Sequence, residues 1–105
     1  MNLRQLKAFQ AVCRTGSITR ASELIHLSQP ALTRQIQDLE SFCGCKLFER
    51  TRHGIVLTDE GELFQVRAEE MLSLAERTQR ELKDAGGFEF ALRSLHRRHR
   101  PDRLR

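Results

Sequence analysis

Apolar residues near the start of the chain recur at helical spacing. They step by three, three, three and one residues, at Leu3, Leu6, Phe9, Val12 and Cys13. Steps of three and four place side chains on one face of an α-helix. Gly16 follows this run and suits the left-handed residue that often ends a helix. The pattern predicts a first amphipathic helix that ends near Thr15 and packs its apolar face against later segments.

Residues 17–42 hold two further helical patterns, separated by His26-Leu27-Ser28. Ser17 and Ser28 are suitable N-caps, and Pro30 falls in a first turn, where its missing N–H has no partner to lose. Two helices joined by a turn of about three residues form a helix-turn-helix. The predicted inward positions are Ile18, Ala21, Leu24 and Ile25 in the first pattern and Leu32, Ile36, Leu39 and Phe42 in the second.

The second of these helices, called the recognition helix below, has a polar face suited to base pairs. Its outward residues are Gln29, Pro30, Thr33, Arg34 and Gln37. Arginine can bond guanine, glutamine can bond adenine, threonine can bond several base edges, and apolar groups can contact the thymine methyl. The major groove of DNA, about 12 Å wide, admits one α-helix. The pattern favours DNA recognition, although similar helix pairs also occur in all-α domains that bind no DNA.

Two short β-prone runs at residues 46–50 and 55–57 flank a turn-like segment at 51–54, and together they predict a β-hairpin. A hairpin directly after a recognition helix can form a wing. Its tip carries Arg50, Arg52 and His53, which can contact phosphates or enter a minor groove. The alternative is a basic surface loop without contacts.

A long helical pattern begins after Thr58, a suitable N-cap, and ends at Gly86-Gly87. At 1.5 Å per residue such a helix extends about 42 Å. Its apolar seam repeats every 3.5 residues on average, which is typical of a coiled coil. We expect a second copy of the chain to cover this seam, because contact with the first helix would reach only its first turns. The seam residues are Phe64, Ala68, Met71, Ala75, Thr78 and Leu82.

The net charge of +4 is unevenly distributed along the 105 residues. Residues 1–58 hold eight Lys/Arg and four Asp/Glu, residues 59–84 hold four and eight, and residues 85–105 hold six and two. The basic first segment suits a polyanion, and the acidic middle segment would repel one. Residues 88–105 show no core pattern, so we expect either a disordered basic arm or a remnant of truncation or of a shifted reading frame.

Other classes of protein find little support. The sequence lacks a nucleophile–base pattern, a glycine-rich phosphate loop and a metal triad, so we expect no enzyme and no cofactor. Cys13, Cys43 and Cys45 are interpreted as small apolar residues with free thiols, since structural zinc requires four ligands. No apolar stretch approaches the roughly 18 residues of a membrane span, and no signal peptide is evident. These features indicate a cytoplasmic protein that does not bind a membrane.

Several motifs in order resemble the LysR-type transcriptional regulators of bacteria over about residues 1–87. They are Leu3-Arg4-Gln5-Leu6 with Phe9, Gly16-Ser17, Leu27-Ser28-Gln29-Pro30-Ala31-Leu32-Thr33-Arg34-Gln35-Ile36 with Leu39-Glu40, Leu47-Phe48-Glu49-Arg50, and Leu57-Thr58 with Gly61. The resemblance implies a regulator that recognises a palindromic operator through two recognition helices. The DNA-contacting positions that it implies are Gln29, Pro30, Thr33, Arg34 and Arg50.

The chain departs from this family in two respects. The family generally has arginine where His53 stands at the wing tip, and a histidine carries less positive charge at pH 7. The resemblance also implies that family members continue into an effector-binding domain of about two hundred residues, which is larger than one small domain. We therefore expect either a DNA-binding fragment or a shortened regulator, which binds no small-molecule effector as it stands.

Taken together, these patterns predict a mainly α fold. Residues 1–58 would form a winged helix-turn-helix, with three helices and a short β-hairpin wing, and residues 59–87 a long dimerisation helix. The predicted partners are double-stranded promoter DNA and a second copy, with higher oligomers possible. The alternative is a helical dimerisation or partner-binding module without specific DNA recognition.

Overall fold

The computed structural model describes residues 1–85, which form four helices and one antiparallel pair of strands. This architecture confirms the predicted mainly α fold with a hairpin after the third helix. The prediction for residues 88–105 and the predicted helix end at Gly86-Gly87 lie outside the described residues. The elements are α1 (Leu3–Thr15), α2 (Ile18–Leu24), α3 (Gln29–Cys43), β1 (Phe48–Thr51), β2 (Gly54–Leu57) and α4 (Asp59–Ala85).

The chain divides into two compact units, Met1–Leu72 and a second unit that begins at Ser73. The first unit contains α1 to α3, the hairpin and the beginning of α4. It therefore extends beyond the predicted domain boundary at residue 58. The described part of the second unit is the remainder of α4, up to Ala85.

Short polar side chains and glycines set the helix ends, among them the predicted Gly16, Ser17 and Ser28. Asn2 accepts a hydrogen bond from the Gln5 N–H at 2.8 Å and forms a capping box with it. Ser17 and Ser28 cap α2 and α3 through backbone N–H groups three residues later. Gly16 ends α1 with a φ of +66°, a conformation that glycine adopts without strain. These caps limit α2 to a single short helix between two turns.

Phe9 lies at the centre of the core of the first unit. Its ring centroid is 5.0 Å from that of Phe48 and 4.9 Å from that of Phe64, in tilted and edge-on arrangements that aromatic pairs favour. Phe9 thus joins α1 to the hairpin and to α4. Burial of each large apolar side chain contributes about 1.5–3 kcal/mol to the free energy of unfolding. The other fully buried large side chains are Leu32, Leu39, Leu47 and Val12.

Three residues predicted to face the core are exposed. Leu3 is half-exposed because it is the first residue of α1 and core contacts begin one turn later. Phe42 is 64% exposed, and Cys43 packs against the core in its place. Leu24 is also half-exposed, and Ser22 is buried instead. The Ser22 hydroxyl donates to the backbone carbonyl three residues earlier at 2.7 Å, which satisfies this polar group inside the core.

Residues 48–57 form the hairpin, called the wing below. Phe48 pairs with Leu57 and Thr51 with Gly54, so the loop contains only Arg52 and His53. The first strand begins two residues later than the β-prone run at residue 46 predicts. The reason is that the Leu47 N–H donates to Glu40 of α3, and the carbonyls of residues 46 and 47 accept from Thr58, the residue before α4.

The seam predicted on α4 does not remain free in the first unit. Phe64 contacts Phe9, Met71 packs against the core, and Ala68 is only 2% exposed. The side chain of Ala68 therefore has almost no surface left for a partner chain within this unit. Leu72, which the seam omits, is also buried in this core.

The three cysteines are free thiols that lie partly buried against the core. Burial, followed by the nearby Glu69 carboxylate, raises the pKa of the Cys13 thiol to about 12. Burial, followed by the proximity of Cys45, also raises the pKa of Cys43. A raised pKa keeps a thiol protonated at neutral pH, so Cys13 and Cys43 have little nucleophilic character.

Gly61 allows α4 to begin directly against the residues that precede the wing. A Cβ atom at this position would overlap the Leu47 carbonyl oxygen and lie 2.9 Å from Leu57 Cδ2. The Gly61 N–H donates to Thr58 Oγ1 at 2.9 Å, which confirms Thr58 as the cap of α4. The obstacle is a backbone atom, so a small rotation of a side chain cannot remove it.

The substitution Gly61→Ala tests this close approach. We expect the free energy of unfolding to fall by about 1–3 kcal/mol because the added methyl displaces α4 or the Leu47 backbone. The control is Glu62→Ala on the exposed side of the same turn, with a change below about 1 kcal/mol. Urea denaturation followed by circular dichroism measures both. Stabilisation of Gly61→Ala through the higher helix propensity of alanine would contradict the packing argument.

Candidate nucleic-acid interface

The recognition helix α3 packs one face into the core and presents the other to solvent. Leu32, Ile36 and Leu39 are buried, as the sequence predicts. Because side chains three and four residues apart share a face, this burial fixes the rotation of the helix about its axis. The predicted contact residues Gln29, Pro30 and Arg34 are exposed, Thr33 is half-buried, and Gln37 is exposed beside them.

The turn before α3 is tight and closed by backbone hydrogen bonds. His26 has a φ of +58°, a left-handed conformation that is uncommon for a residue with a side chain. The Leu27 N–H donates to the Ser22 carbonyl at 2.9 Å, which returns the chain toward α2. Ser28 then caps α3. The turn therefore brings the N-terminal end of α3, with Gln29 and its neighbours, to the surface.

The wing carries three exposed basic side chains near its tip. Arg50 lies in β1, and Arg52 and His53 form the loop. The Thr51 hydroxyl closes the loop, since it donates to the Gly54 carbonyl at 3.0 Å and accepts from the His53 N–H at 3.2 Å. These bonds hold the tip in one conformation without engaging either basic side chain.

A cleft of about 480 Å³ lies between the recognition helix and the wing. It brings Thr33 of α3 close to Arg50 of β1, two residues predicted separately as contacts. Lys46, which the sequence analysis did not select, also lines it, as does Gln37. The signal for Lys46 was its position at the start of the wing segment. The lining residues are Ile18, Thr33, Ile36, Gln37, Glu40, Lys46, Phe48, Glu49, Arg50 and Ile55.

Hydrogen bonds near both ends of the wing hold it to the rest of the first unit. The Ile55 N–H donates to the Gly16 carbonyl at 3.3 Å, in the turn between α1 and α2. The Glu40 carboxylate of α3 accepts from the Leu47 N–H at 2.8 Å and from the Phe48 N–H at 3.2 Å. The sequence gives no signal for this role of Glu40, because its partners are backbone groups that any residue carries.

The positive charges of this face are only loosely paired. Arg34 Nε lies 3.9 Å from Asp38 Oδ2, and both side chains are mostly exposed. Lys46 Nζ lies 3.8 Å from Glu40 Oε1, with the lysine side chain exposed. An exposed pair such as Arg34–Asp38 contributes about 0–1 kcal/mol, and Lys46 is exposed although its partner Glu40 is largely buried. Both cations therefore remain available to a ligand.

The predicted dimer residues lie in both units. Phe64, Ala68 and Met71 belong to the core of the first unit, as described above. In the second unit Ala75 is half-buried, and Thr78 and Leu82 are exposed. Exposed apolar residues that the seam omits are Leu63 and Val66 in the first unit and Leu74 in the second.

Residues 1–85 contain neither a membrane-spanning helix nor a metal-binding cluster. No helix in that range is long and apolar enough to cross a membrane. Within the same range no three His, Cys, Asp or Glu side chains are grouped so that they could hold a metal ion.

The profile of the family described as bacterial regulatory helix-turn-helix protein, lysR family, matches residues 3–62. The chain belongs to this family. The matched segment contains α1 to α3, the wing and the first residues of α4, and it includes every residue proposed from the sequence to contact DNA. The resemblance drawn from the motifs is thereby confirmed.

Curated relatives are transcriptional regulators. The HTH-type transcriptional regulator TfdT of Cupriavidus pinatubonensis is 49% identical over 80 residues, 76% of this chain and 35% of the relative. ClcR of Pseudomonas putida is 46% identical over 76 residues, 72% of this chain and 26% of the relative. This LysR-family chain thus spans about a quarter to a third of the length of the curated relatives that it matches.

Solved structures of DNA-binding domains share this fold. The CbnR DNA-binding domain, crystallised with DNA, is 42% identical with a TM-score of 0.78, and the match covers 82% of this chain and 99% of that one. The BenM DNA-binding domain in complex with the catB site 1 DNA is 36% identical with a TM-score of 0.78, over 82% and 97%. The winged helix-turn-helix fold of this LysR-family chain is therefore shown.

Proposed function

We propose that this LysR-family chain is a sequence-specific DNA-binding regulator of transcription that acts as a dimer on a palindromic operator. The observation that carries the proposal is the exposed polar face of α3, positioned beside a basic wing in a fold shared with DNA-bound domains. DNA binding is assigned to residues 1–58 and the linking and dimerisation role to residues 59–87. The protein acts in the bacterial cytoplasm, performs no catalysis and requires no cofactor.

In this proposal α3 enters the major groove. Thr33 and Arg34 contact base edges, Gln29 and Pro30 at the first turn contact bases or their methyl groups, and the helix N-terminus favours a phosphate. Arg50, Arg52 and His53 contact the backbone or the minor groove from the wing. The cleft between α3 and the wing suits this division, because one strand of a duplex can lie between the two groups of contacts.

Replacement of a base-contacting residue tests the proposal. A duplex that the wild-type protein selects from a random library serves as the specific site, and a scrambled duplex of equal length serves as the nonspecific one. We expect Arg34→Ala or Thr33→Ala to weaken specific binding by roughly 1–3 kcal/mol and to leave nonspecific binding nearly unchanged. Fluorescence anisotropy at fixed salt measures both.

The matched control is Arg67→Ala on α4, which removes the same charge as Arg34→Ala outside the proposed interface. It should not change the ratio of specific to nonspecific affinity. If Arg34→Ala weakens both duplexes equally, Arg34 contacts phosphate and not bases. If the wild-type protein selects no sequence, the chain is a partner-binding module with only electrostatic attraction to DNA, as in the alternative interpretation.

Wing contacts to phosphate predict a different signature. The logarithm of affinity falls linearly with the logarithm of salt concentration, with a slope of about 0.9 per neutralised phosphate on duplex DNA. We expect Arg52→Ala to reduce this slope by about 0.9 on both specific and nonspecific duplexes. Thr33→Ala, which removes no charge, should leave the slope unchanged. An unchanged slope for Arg52→Ala would show that the wing tip contacts no phosphate.

Dimerisation is proposed for the part of α4 in the second unit. Ala75, Thr78 and Leu82 recur at steps of three and four, and the two described units leave Leu82 exposed. A palindromic operator requires two recognition helices, which one copy of this chain does not supply. A second copy of the chain would cover the exposed Leu82 and supply the second recognition helix.

Sedimentation equilibrium of the full chain tests this assignment. We expect the wild-type protein to be a dimer and Leu82→Lys to shift it toward monomer, because a buried cation would replace an apolar contact. Asp84→Asn changes the net charge by the same amount on another side of the helix and should leave the dimer intact. A wild-type monomer at high concentration would overturn the proposal.

A further inference from the structure

Glu40 is a carboxylate in an unusual position, near the C-terminal end of the recognition helix and turned toward the segment that precedes the wing. Its side chain is only 11% exposed. One oxygen, Oε2, accepts both the Leu47 N–H and the Phe48 N–H. In the described part of the chain, these two are the side-chain hydrogen bonds that join α3 to the wing and to Leu47, the residue directly before it. Hydrogen bonds to a charged acceptor are about twice as strong as neutral ones.

The two amide groups need this acceptor. Leu47 is 1% exposed, so its backbone lies against the core where water has little access. A buried N–H without a partner destabilises the fold more than a normal hydrogen bond stabilises it. The carbonyls of the same segment bond elsewhere, since the Thr58 N–H donates to Leu47 O at 3.0 Å and the Thr58 hydroxyl donates to Lys46 O at 2.7 Å. Residues 46–48 are therefore fixed from α3 on one side and from the start of α4 on the other.

The position of Glu40 on α3 connects this anchor to the proposed contacts with DNA. Thr33 lies seven residues earlier, about two helical turns, so both side chains lie on nearly the same face. Arg50 lies two residues after Phe48 in β1, and Thr33, Glu40 and Arg50 line the same cleft. A shift of residues 47 and 48 relative to α3 changes the width of this cleft and with it the position of the wing cations.

We propose that Glu40 is a positioning residue that sets the wing relative to the recognition helix, so that wing and helix contacts are made on one duplex together. The inference rests on the proposed function. It means that Glu40, although negatively charged, favours the binding of DNA, which is a polyanion. Its effect is indirect, through the hydrogen bonds to residues 47 and 48, and does not require Glu40 to touch DNA.

The experiment compares Glu40→Gln with Glu40→Ala in the full chain. Both variants remove the same negative charge, but the glutamine carbonyl can keep both hydrogen bonds because one oxygen accepts them in the wild-type protein. We expect Glu40→Gln to bind the selected duplex at least as tightly as the wild-type protein. Glu40→Ala should bind more weakly, with a salt slope lower by about 0.9 for each wing phosphate contact that is lost.

Double-mutant cycles separate positioning from general destabilisation. In the Glu40→Ala background, Arg52→Ala should have a smaller effect than in the wild-type background, because the wing is already displaced. Thr33→Ala should keep its full effect in both backgrounds. If Glu40→Ala is not folded by circular dichroism, Glu40→Asp replaces it, since aspartate keeps the charge but is one methylene too short to reach both amides.

Two results would overturn the inference. One is equal binding by Glu40→Gln and by Glu40→Ala or Glu40→Asp. The other is an Arg52→Ala effect that is the same in both backgrounds. These results are distinct from failure of the proposed function, in which the wild-type protein itself shows no preference for the selected duplex over the scrambled one.

Discussion

The burial of one face of α3 against α1 is the constraint on which the rest of the structure depends. Leu32 and Leu39 are completely buried, and Phe9 of α1 fixes the core around which they pack. Their burial leaves the recognition helix only one rotation about its axis. Arg34 is exposed as a consequence, because it lies on the opposite face. The polar face available to a ligand thus follows from the apolar face in the core.

The wing uses a different kind of interaction to reach its position. Phe48 packs on Phe9, but the position of residues 46–57 depends on directional hydrogen bonds that Glu40 and the Gly16 carbonyl accept and that Thr58 donates. Apolar contacts tolerate small displacements, whereas hydrogen bonds weaken steeply when their geometry changes. This combination of packing and hydrogen bonds suits a DNA-binding surface, because the helix and the wing must both fit one rigid duplex. The helix is oriented by packing, and the wing is placed relative to it by polar contacts.

Helical periodicity predicted α1, α3 and the helix-turn-helix well, since the spacing of the apolar residues determines which face of an amphipathic helix is buried. It failed at helix ends, where Leu3 and Phe42 lie beyond the packed turns and are exposed. Periodicity also does not distinguish a coiled-coil seam from a face packed on the same chain, because the two have nearly the same spacing, and Ala68 of the predicted seam is buried within one chain. The role of Glu40 was not predicted, although Glu40 belongs to the motif that carries the family resemblance. Its partners are backbone amides, and neither they nor the distance that α3 leaves to the wing is visible in sequence.

The exposed face of α3, with the wing beside it, is the surface proposed to meet duplex DNA. NMR titration of the full chain with a duplex selected for binding maps this surface through the amide chemical shifts. We expect the largest perturbations at residues 29–37 and 50–53, while exposed positions on α4 such as Arg67 change little. Perturbations concentrated on α4, with residues 29–37 unaffected, would contradict this assignment.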